Sequence, residues 1–292
     1  MKILITGSNG FIGRNLQRSL ENRKHEVIGI DIIKGDNKCC DLRKLKEVES
    51  LFKEISPEII VHLAAISSSD LSRTKVISTQ EVNFMGTVNL LECAQRMDSE
   101  LDFFILASTA EVYGGLDKKM YDENDLPQPL SPYAASKAAA ESFALMKSRI
   151  TGLKTCCIRF CNAFGRRNND KFVIEYIINC FIRKIPPTIK TPNSVREFMY
   201  LPDHLSVYET IINKQPTGII NASSGESYSI LDLTLMIKEV TNSEIPIVTE
   251  KDSQTTSIIL NNEKLRNLGF IPKYSLRNAI SHFYDDLINT NN

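Results

Sequence analysis

The chain has 292 residues, 42% hydrophobic and 24% charged, which excludes a disordered polymer and leaves enough apolar matter for about two domains or one large α/β unit with an appended lobe. Lysine plus arginine and aspartate plus glutamate each number 35, so no net field draws the chain to nucleic acid or to an anionic membrane. An anionic ligand therefore has to be held by a local site.

The first residues run at once into Ile3-Leu4-Ile5 without the long apolar stretch of a secretory signal, and no uninterrupted apolar run is long enough to span a bilayer. This predicts a cytoplasmic chain with no membrane partner. Short β-branched runs at 2–7, 26–32, 59–65, 103–109 and 154–160 read as strands, separated by helical stretches at 11–23, 42–55, 80–97 and 133–150. Strand–helix–strand repetition predicts a doubly wound parallel sheet covered on both faces. Beyond Gly165 the pattern changes to a helix at 170–184, a Pro186-Pro187 segment, a loop at 191–194, strands at 197–201 and 218–222, and three helical stretches to the end. The expected organisation is a first domain over 1–163, rejoined by 201–224, and a small C-terminal α/β lobe built from 164–200 and 225–292. Seven cysteines, an odd number without a CxxC pair, and four scattered histidines (His25, His62, His204, His282) predict reduced apolar filler and no metal site.

Thr6-Gly7-Ser8-Asn9-Gly10-Phe11-Ile12-Gly13 closes the first strand and opens the first helix. Gly7 permits a tight turn, Gly10 lets the backbone approach a pyrophosphate, and Gly13 lets helix pack on strand, with phosphates meeting the positive helix end. The glycines are spaced three and three rather than two and three, so the dinucleotide reading rests also on the strand–turn–helix context of a Rossmann-type sheet. Asp31 ends the next strand, placed to accept from a ribose hydroxyl and to repel a 2′-phosphate, which favours NAD over NADP; Lys34 would soften that repulsion. Asp41, before Leu42, is either a bond to the adenine amine or a helix N-cap.

Ser131 is a plausible N-cap and Pro132 a first-turn residue for a helix that carries Tyr133 and Lys137 four positions apart. The spacing puts phenol and ammonium on one face, where the ammonium is expected to pull the phenol below its ordinary value of about 10. The plain alternative is an aromatic–lysine surface pair.

Taken together, 6–13, Asp31, His62-Leu63-Ala64-Ala65, Asn83 with Gly86-Thr87, the run Ser108 to Gly114, Tyr133 with Lys137, Arg159-Asn162-Gly165 and Arg196 to Tyr200 resemble the extended short-chain dehydrogenase/reductases that modify nucleotide sugars. The resemblance covers nearly the whole chain. It implies NAD held by Gly7, Asn9, Gly10, Phe11, Ile12, Gly13 and Asp31, with Asp41, Leu42, Leu63, Ala64, Ala65, Asn83, Tyr133 and Lys137 completing the site. It implies a triad in which Tyr133 takes the proton of a sugar hydroxyl, Thr109 bonds the same oxygen and Lys137 binds the nicotinamide ribose. Asn162 and Arg196 would contact the diphosphate of a nucleoside-diphosphate sugar; the plain alternative for Arg196 is a surface charge beside a strand. A homodimer through the helices holding Asn83 and Tyr133 is also implied.

Within that family, dehydratases carry an acid and then a glutamate after the threonine, whereas this chain has Ala110 and Glu111. Alanine transfers no proton, which disfavours a 4,6-dehydratase, while Glu111 leaves a decarboxylase or an atypical eliminator open unless it is merely a solvated strand-end acid. The expected reaction is a 4-epimerisation. The alternative is an NAD(P)H-dependent 4-ketoreductase, and a non-catalytic NAD-binding sensor would not need Tyr133 and Lys137. The segment Thr249-Glu250-Lys251-Asp252, where a second phosphate arginine often lies, offers only Lys251.

Overall fold

The computed structural model describes every residue except 34, 36, 98, 99, 116, 117, 119, 168, 252–254, 291 and 292, and only the backbone of residue 290. Lys34 and Asp252, both drawn on above, lie outside the described residues. The chain divides into two compact units, one of Met1–Tyr113, Leu126–Arg159 and Tyr208–Ile220, the other of Gly114–Asp125, Phe160–Val207 and Asn221–Asn292.

A seven-stranded sheet is ordered Gly218–Ala222, Lys154–Phe160, Phe103–Thr109, Ile59–His62, Lys2–Thr6, Glu26–Asp31 and Lys38–Cys39. Lys2–Thr6 runs parallel to both neighbours, with Thr6 opposite Ile30 on one side and His62 on the other. Phe103–Thr109 and Lys38–Cys39 join in the same sense. Parallel register gathers the carboxyl ends of these strands at one edge, where a doubly wound sheet binds its ligands. Ile3, Leu4, Ile5, Ile60, Val61, Phe104 and Ile105 are wholly buried, as strands covered on both faces require. Leu4, Ile60 and Phe104 share one core with Leu51 and Phe52 of helix Leu45–Glu54 and with Leu90 and Leu91 of helix Gly86–Arg96.

Four differences from the expected elements stand out. The strand expected over 59–65 ends at His62, because the Leu63 amide turns to the carbonyl and hydroxyl of Thr6. Two short helices, Ser69–Thr74 and Val76–Gln80, lie between the strand expected at 59–65 and the helix expected at 80–97, where no element is expected; Ser68 caps the first by accepting from the Leu71 amide. Helix Leu201–Lys214 follows strand Val195–Tyr200 without a loop residue, so no turn signal announces it. The stretch expected as one helix over 80–97 begins with a π turn, Glu81–Met85.

In the second unit, Val195–Tyr200 is the middle of a three-stranded sheet, parallel to Asn162–Phe164 and antiparallel to Ser227–Ser229. Phe164, Ile177, Phe198, Leu233, Ile280 and Phe283 form its core. All seven cysteines are unpaired, and six of them are buried. Among the described residues, no group of three or more His, Cys, Asp or Glu could hold a metal ion, and no helix is long and apolar enough to cross a membrane.

Candidate active site

The turn after Lys2–Thr6 is shaped by what it excludes. Gly7 has φ +72°, and a Cβ there would stand 2.8 Å from the Ala64 amide nitrogen. A Cβ on Gly13 would stand 2.2 Å from the Gly7 carbonyl oxygen, so helix Phe11–Asn22 packs this close only over glycine. At Gly10 a Cβ would meet nothing but the Gly7 oxygen, at 3.0 Å, and would otherwise fill the space before the helix. Gly10 is the N-cap, no side chain bonds the cap, and no acidic residue lies in the first turn that contains Phe11 and Ile12. This is a helix start left open for an anion. The donor set fits a dinucleotide's phosphates.

Asp31 stands beside this turn. Its Oδ2 accepts from the Asn9 amide at 2.9 Å and its Oδ1 from the Ile33 amide at 3.0 Å, leaving each oxygen a lone pair for a ribose hydroxyl. The Asn9 carboxamide donates to the Ile33 carbonyl and accepts from Asn37, riveting the two loops together. Asp41 is engaged elsewhere: both its oxygens accept from the Arg43 guanidinium, which holds the carboxyl below the usual carboxylate range. It caps no helix either, since Lys44 is the N-cap of Leu45–Glu54. Leu42 is buried in the core, and Ala65 is half-buried at the turn. Asn83 is fully buried; it accepts from the Ile66 amide and donates to the Ile66 carbonyl and to Ser136 Oγ, tying the 63–66 turn to helix Pro132–Thr151.

Beneath the turn lies a chain of hydrogen bonds that the sequence did not announce. The Leu63 and Ala64 amides donate to Thr6 Oγ1, which bonds His62 Nδ1 at 2.7 Å; His62 Nε2 bonds Thr87 Oγ1 at 3.0 Å, and Thr87 donates to the Asn83 carbonyl. Since Thr87 spends its proton on that carbonyl, His62 must donate from Nε2 and accept at Nδ1. Complete burial pushes His62 down to about 3, so the ring is neutral, as this arrangement demands.

Four sequence-nominated residues meet on the strand Phe103–Thr109, the 3-10 turn Ala110–Tyr113 and helix Pro132–Thr151. Ser131 caps that helix by accepting from the Ala134 amide, as its position suggested, and Pro132 occupies the first turn. Tyr133 and Lys137 are both buried, the Tyr133 side chain hydrogen-bonds Thr109, and Lys137 Nζ donates to the Ala107 carbonyl at 2.8 Å. Glu111 is no solvated acid: Ser69 Oγ donates to it, and its charge acts on Tyr133. One expectation is corrected. Burial pushes the Tyr133 phenol up from its ordinary value, Glu111 pushes the same way, and only the Thr109 bond opposes them. Lys137 does not pull the phenol down; it is itself lowered to about 8 by burial, partly offset by Glu141.

In the second unit, Asn162 is exposed and its Nδ2 donates to the Glu197 carbonyl at 3.3 Å. Arg196 is half-buried, not a surface charge: Nη1 donates to the carbonyls of Val195 and Thr256, and Nη2 to Thr256 Oγ1. Glu197 is buried beside it, accepts from the Leu260 amide at 2.7 Å, and is raised by burial to about 7.

A parallel sheet with a glycine turn at its carboxyl edge, an acid after the second strand and a buried Thr–Tyr–Lys constellation define a dinucleotide-dependent oxidoreductase or isomerase. Residues 3–223 match the model of the NAD dependent epimerase/dehydratase family, and the chain belongs to that family. It is an enzyme of the extended short-chain dehydrogenase/reductase type, with NAD as its cofactor. It is similar to GDP-6-deoxy-D-talose 4-dehydrogenase of Aggregatibacter actinomycetemcomitans, 30% identical, with 85% of this chain and 82% of the relative covered. Human dTDP-D-glucose 4,6-dehydratase is 28% identical over 96% of this chain and 87% of its own. Among solved structures, UDP-glucose 4-epimerase of Thermus thermophilus, in complex with NAD, is 26% identical, with a TM-score of 0.88 and 99% of each chain covered.

Proposed function

We propose that the chain is a 4-epimerase of a nucleoside-diphosphate sugar. The observation that carries this is the convergence of Thr109, Tyr133 and Lys137 next to a buried alanine, Ala110, where a second proton-transferring group would be needed for elimination. NAD, when bound, supplies a hydride acceptor that becomes the hydride donor, together with a positive charge. Thr109 and Tyr133, hydrogen-bonded to one another, address one sugar oxygen, and Tyr133 takes its proton and later returns it. Because burial and Glu111 both favour the neutral phenol, the phenolate forms only with a cation alongside. Lys137 donates to Ala107 and offers its remaining N–H groups to the ribose.

Gly7, Asn9, Gly10, Phe11, Ile12, Gly13 and Asp31 hold the dinucleotide in this reading, while Asn162 and Arg196 hold the diphosphate. The Thr256 contacts support the latter, since they fix a guanidinium in advance. Asp41, Leu42, Leu63, Ala64, Ala65 and Asn83 act through the walls of the site rather than through free polar groups. A homodimer through helices Gly86–Arg96 and Pro132–Thr151 is part of the proposal, supported by exposed Met85, Met146 and Ile150 on or beside them.

Glu111 favours a second reading, because a carboxylate acting on Tyr133 is what proton removal from a neighbouring carbon would use. Purified protein should interconvert a UDP-hexose and its C4 epimer, read by NMR, with no added cofactor. Release of a keto-deoxy sugar or of carbon dioxide establishes the Glu111 reading instead, and a requirement for stoichiometric reduced cofactor establishes a ketoreductase.

A further inference from the structure

Tyr133, Lys137 and Glu141 stand four residues apart on helix Pro132–Thr151, a spacing that keeps them on one slowly turning stripe. Strand Phe103–Thr109 answers each of them. Thr109 bonds Tyr133, the Ala107 carbonyl accepts from Lys137 at 2.8 Å, and Ser108 Oγ donates to Glu141 Oε1 at 2.5 Å. The third member of the stripe has no part in the reaction proposed above. It is nonetheless held on every side: Arg159 Nε lies 3.1 and 3.2 Å from its two oxygens and Nη2 lies 2.8 Å from Oε2. Arg159 is also buried, with its guanidinium carbon 4.6 Å from the centre of the Tyr113 ring. A buried carboxylate–guanidinium pair is a poor device for stability alone, because apolar residues of equal volume usually serve as well or better.

The position of the pair relative to Lys137 suggests its use. The groups that interact with Lys137 are Glu141 on its own helix, Cys157 on Lys154–Phe160, His62 on Ile59–His62, and the Ala107 carbonyl on Phe103–Thr109. Burial keeps the Cys157 thiol and the His62 ring neutral. Of these groups, that leaves Glu141 as the anion. We propose that Glu141, fixed by Arg159 and Ser108, is a positioning residue that keeps the buried Lys137 amine in its ammonium form, in which all of its N–H groups are donors. The inference rests on the reading of Tyr133 and Lys137 as parts of one reacting centre.

Two readouts on the full chain with NAD test it separately from that reading. Carbon NMR of lysine labelled at Cε reports the titration midpoint of Lys137 without any turnover, and the pH profile of kcat reports its use. Loss of a neighbouring negative charge disfavours the ammonium, so Glu141→Gln should lower the midpoint by about one to three pH units. The basic limb of kcat should move down with it. Because Glu141→Gln strands Arg159, the double variant E141Q/R159Q is measured alongside and should show a smaller fall, since the guanidinium charge that opposes the ammonium goes with the carboxylate. Should neither fold, Glu141→Asp, which withdraws the charge by one methylene, should lower the midpoint by a smaller step. An unmoved midpoint in whichever variants fold overturns the inference, as does a kcat reduced equally at every pH with its basic limb in place. A moved midpoint in a protein that turns over no nucleotide sugar upholds the charge relation and removes the reaction reading.

Discussion

The glycine turn of the first unit and the Arg196 strand of the second are both candidate anion sites, prepared in opposite ways. The turn is made of backbone: side chains are kept out of Gly7, Gly10 and Gly13, and the helix start is left without a side-chain cap. The strand is made of a side chain, and Arg196 is aimed by a carbonyl and a hydroxyl of Thr256, sixty residues further on. A site built from backbone geometry tolerates almost no substitution. One built from a tethered side chain can lose its parts one at a time.

The sharpest tests follow that contrast. In the first unit, Tyr133→Phe should cut turnover by about 10²- to 10⁴-fold while NAD still co-purifies, measured as kcat and bound nucleotide. If cofactor is lost along with turnover, the phenol is part of the binding wall. Gly13→Ala should destabilise the fold by about 1–3 kcal/mol or more and strip the cofactor, because its Cβ meets a backbone oxygen that has nowhere to move. Unchanged thermal unfolding and NAD content would mean that the turn is more forgiving than its geometry. In the second unit, Arg196→Ala should raise KM for the nucleotide sugar by roughly 10- to 100-fold, the worth of one charge-assisted contact, with kcat nearly unchanged. Thr256→Ala should give a fraction of that rise; an equal rise would show that the tether is the site.

A weaker test separates the units by pH. His62 in the first unit and His204 in the second are both lowered by burial to about 3, against about 6.5 when unfolded. Their contribution to stability is full above about 6.5 and is lost as pH falls, at about 1.4 kcal/mol per unit for each ring. Glu197, raised to about 7, acts in the reverse sense: its contribution is present below the unfolded value of about 4.3 and is lost as pH rises through 7. Urea midpoints at pH 5, 6 and 7 should therefore fall toward acid, and more steeply in Glu197→Gln than in the parent chain. Parallel curves would place Glu197 outside the titration.

What was legible in the sequence follows the same division. Excluded volume leaves its mark directly, since only glycine satisfies Gly7 and Gly13, and the spacing of Tyr133 and Lys137 is a property of the helix itself. The direction of the Tyr133 shift was not legible, because it depends on burial and on Glu111, neither of which spacing reveals. The Arg196–Thr256 tether and the Glu141–Arg159 pair join distant positions, and nothing local signals them. Helix Leu201–Lys214 was hidden for a different reason: it starts on the residue after a strand, where punctuation is missing.

The run of bonds from Leu63 and Ala64 through Thr6, His62 and Thr87 to Asn83 has a sense of direction. Two backbone amides at its head and a carbonyl at its tail fix which way every proton points. Position 62 therefore needs a side chain that receives at one end and gives at the other across the breadth of a ring. A purely accepting replacement would leave the Thr87 hydroxyl without its donor, and a purely donating one would leave the Thr6 proton without its acceptor, so this residue is constrained by polarity more than by size.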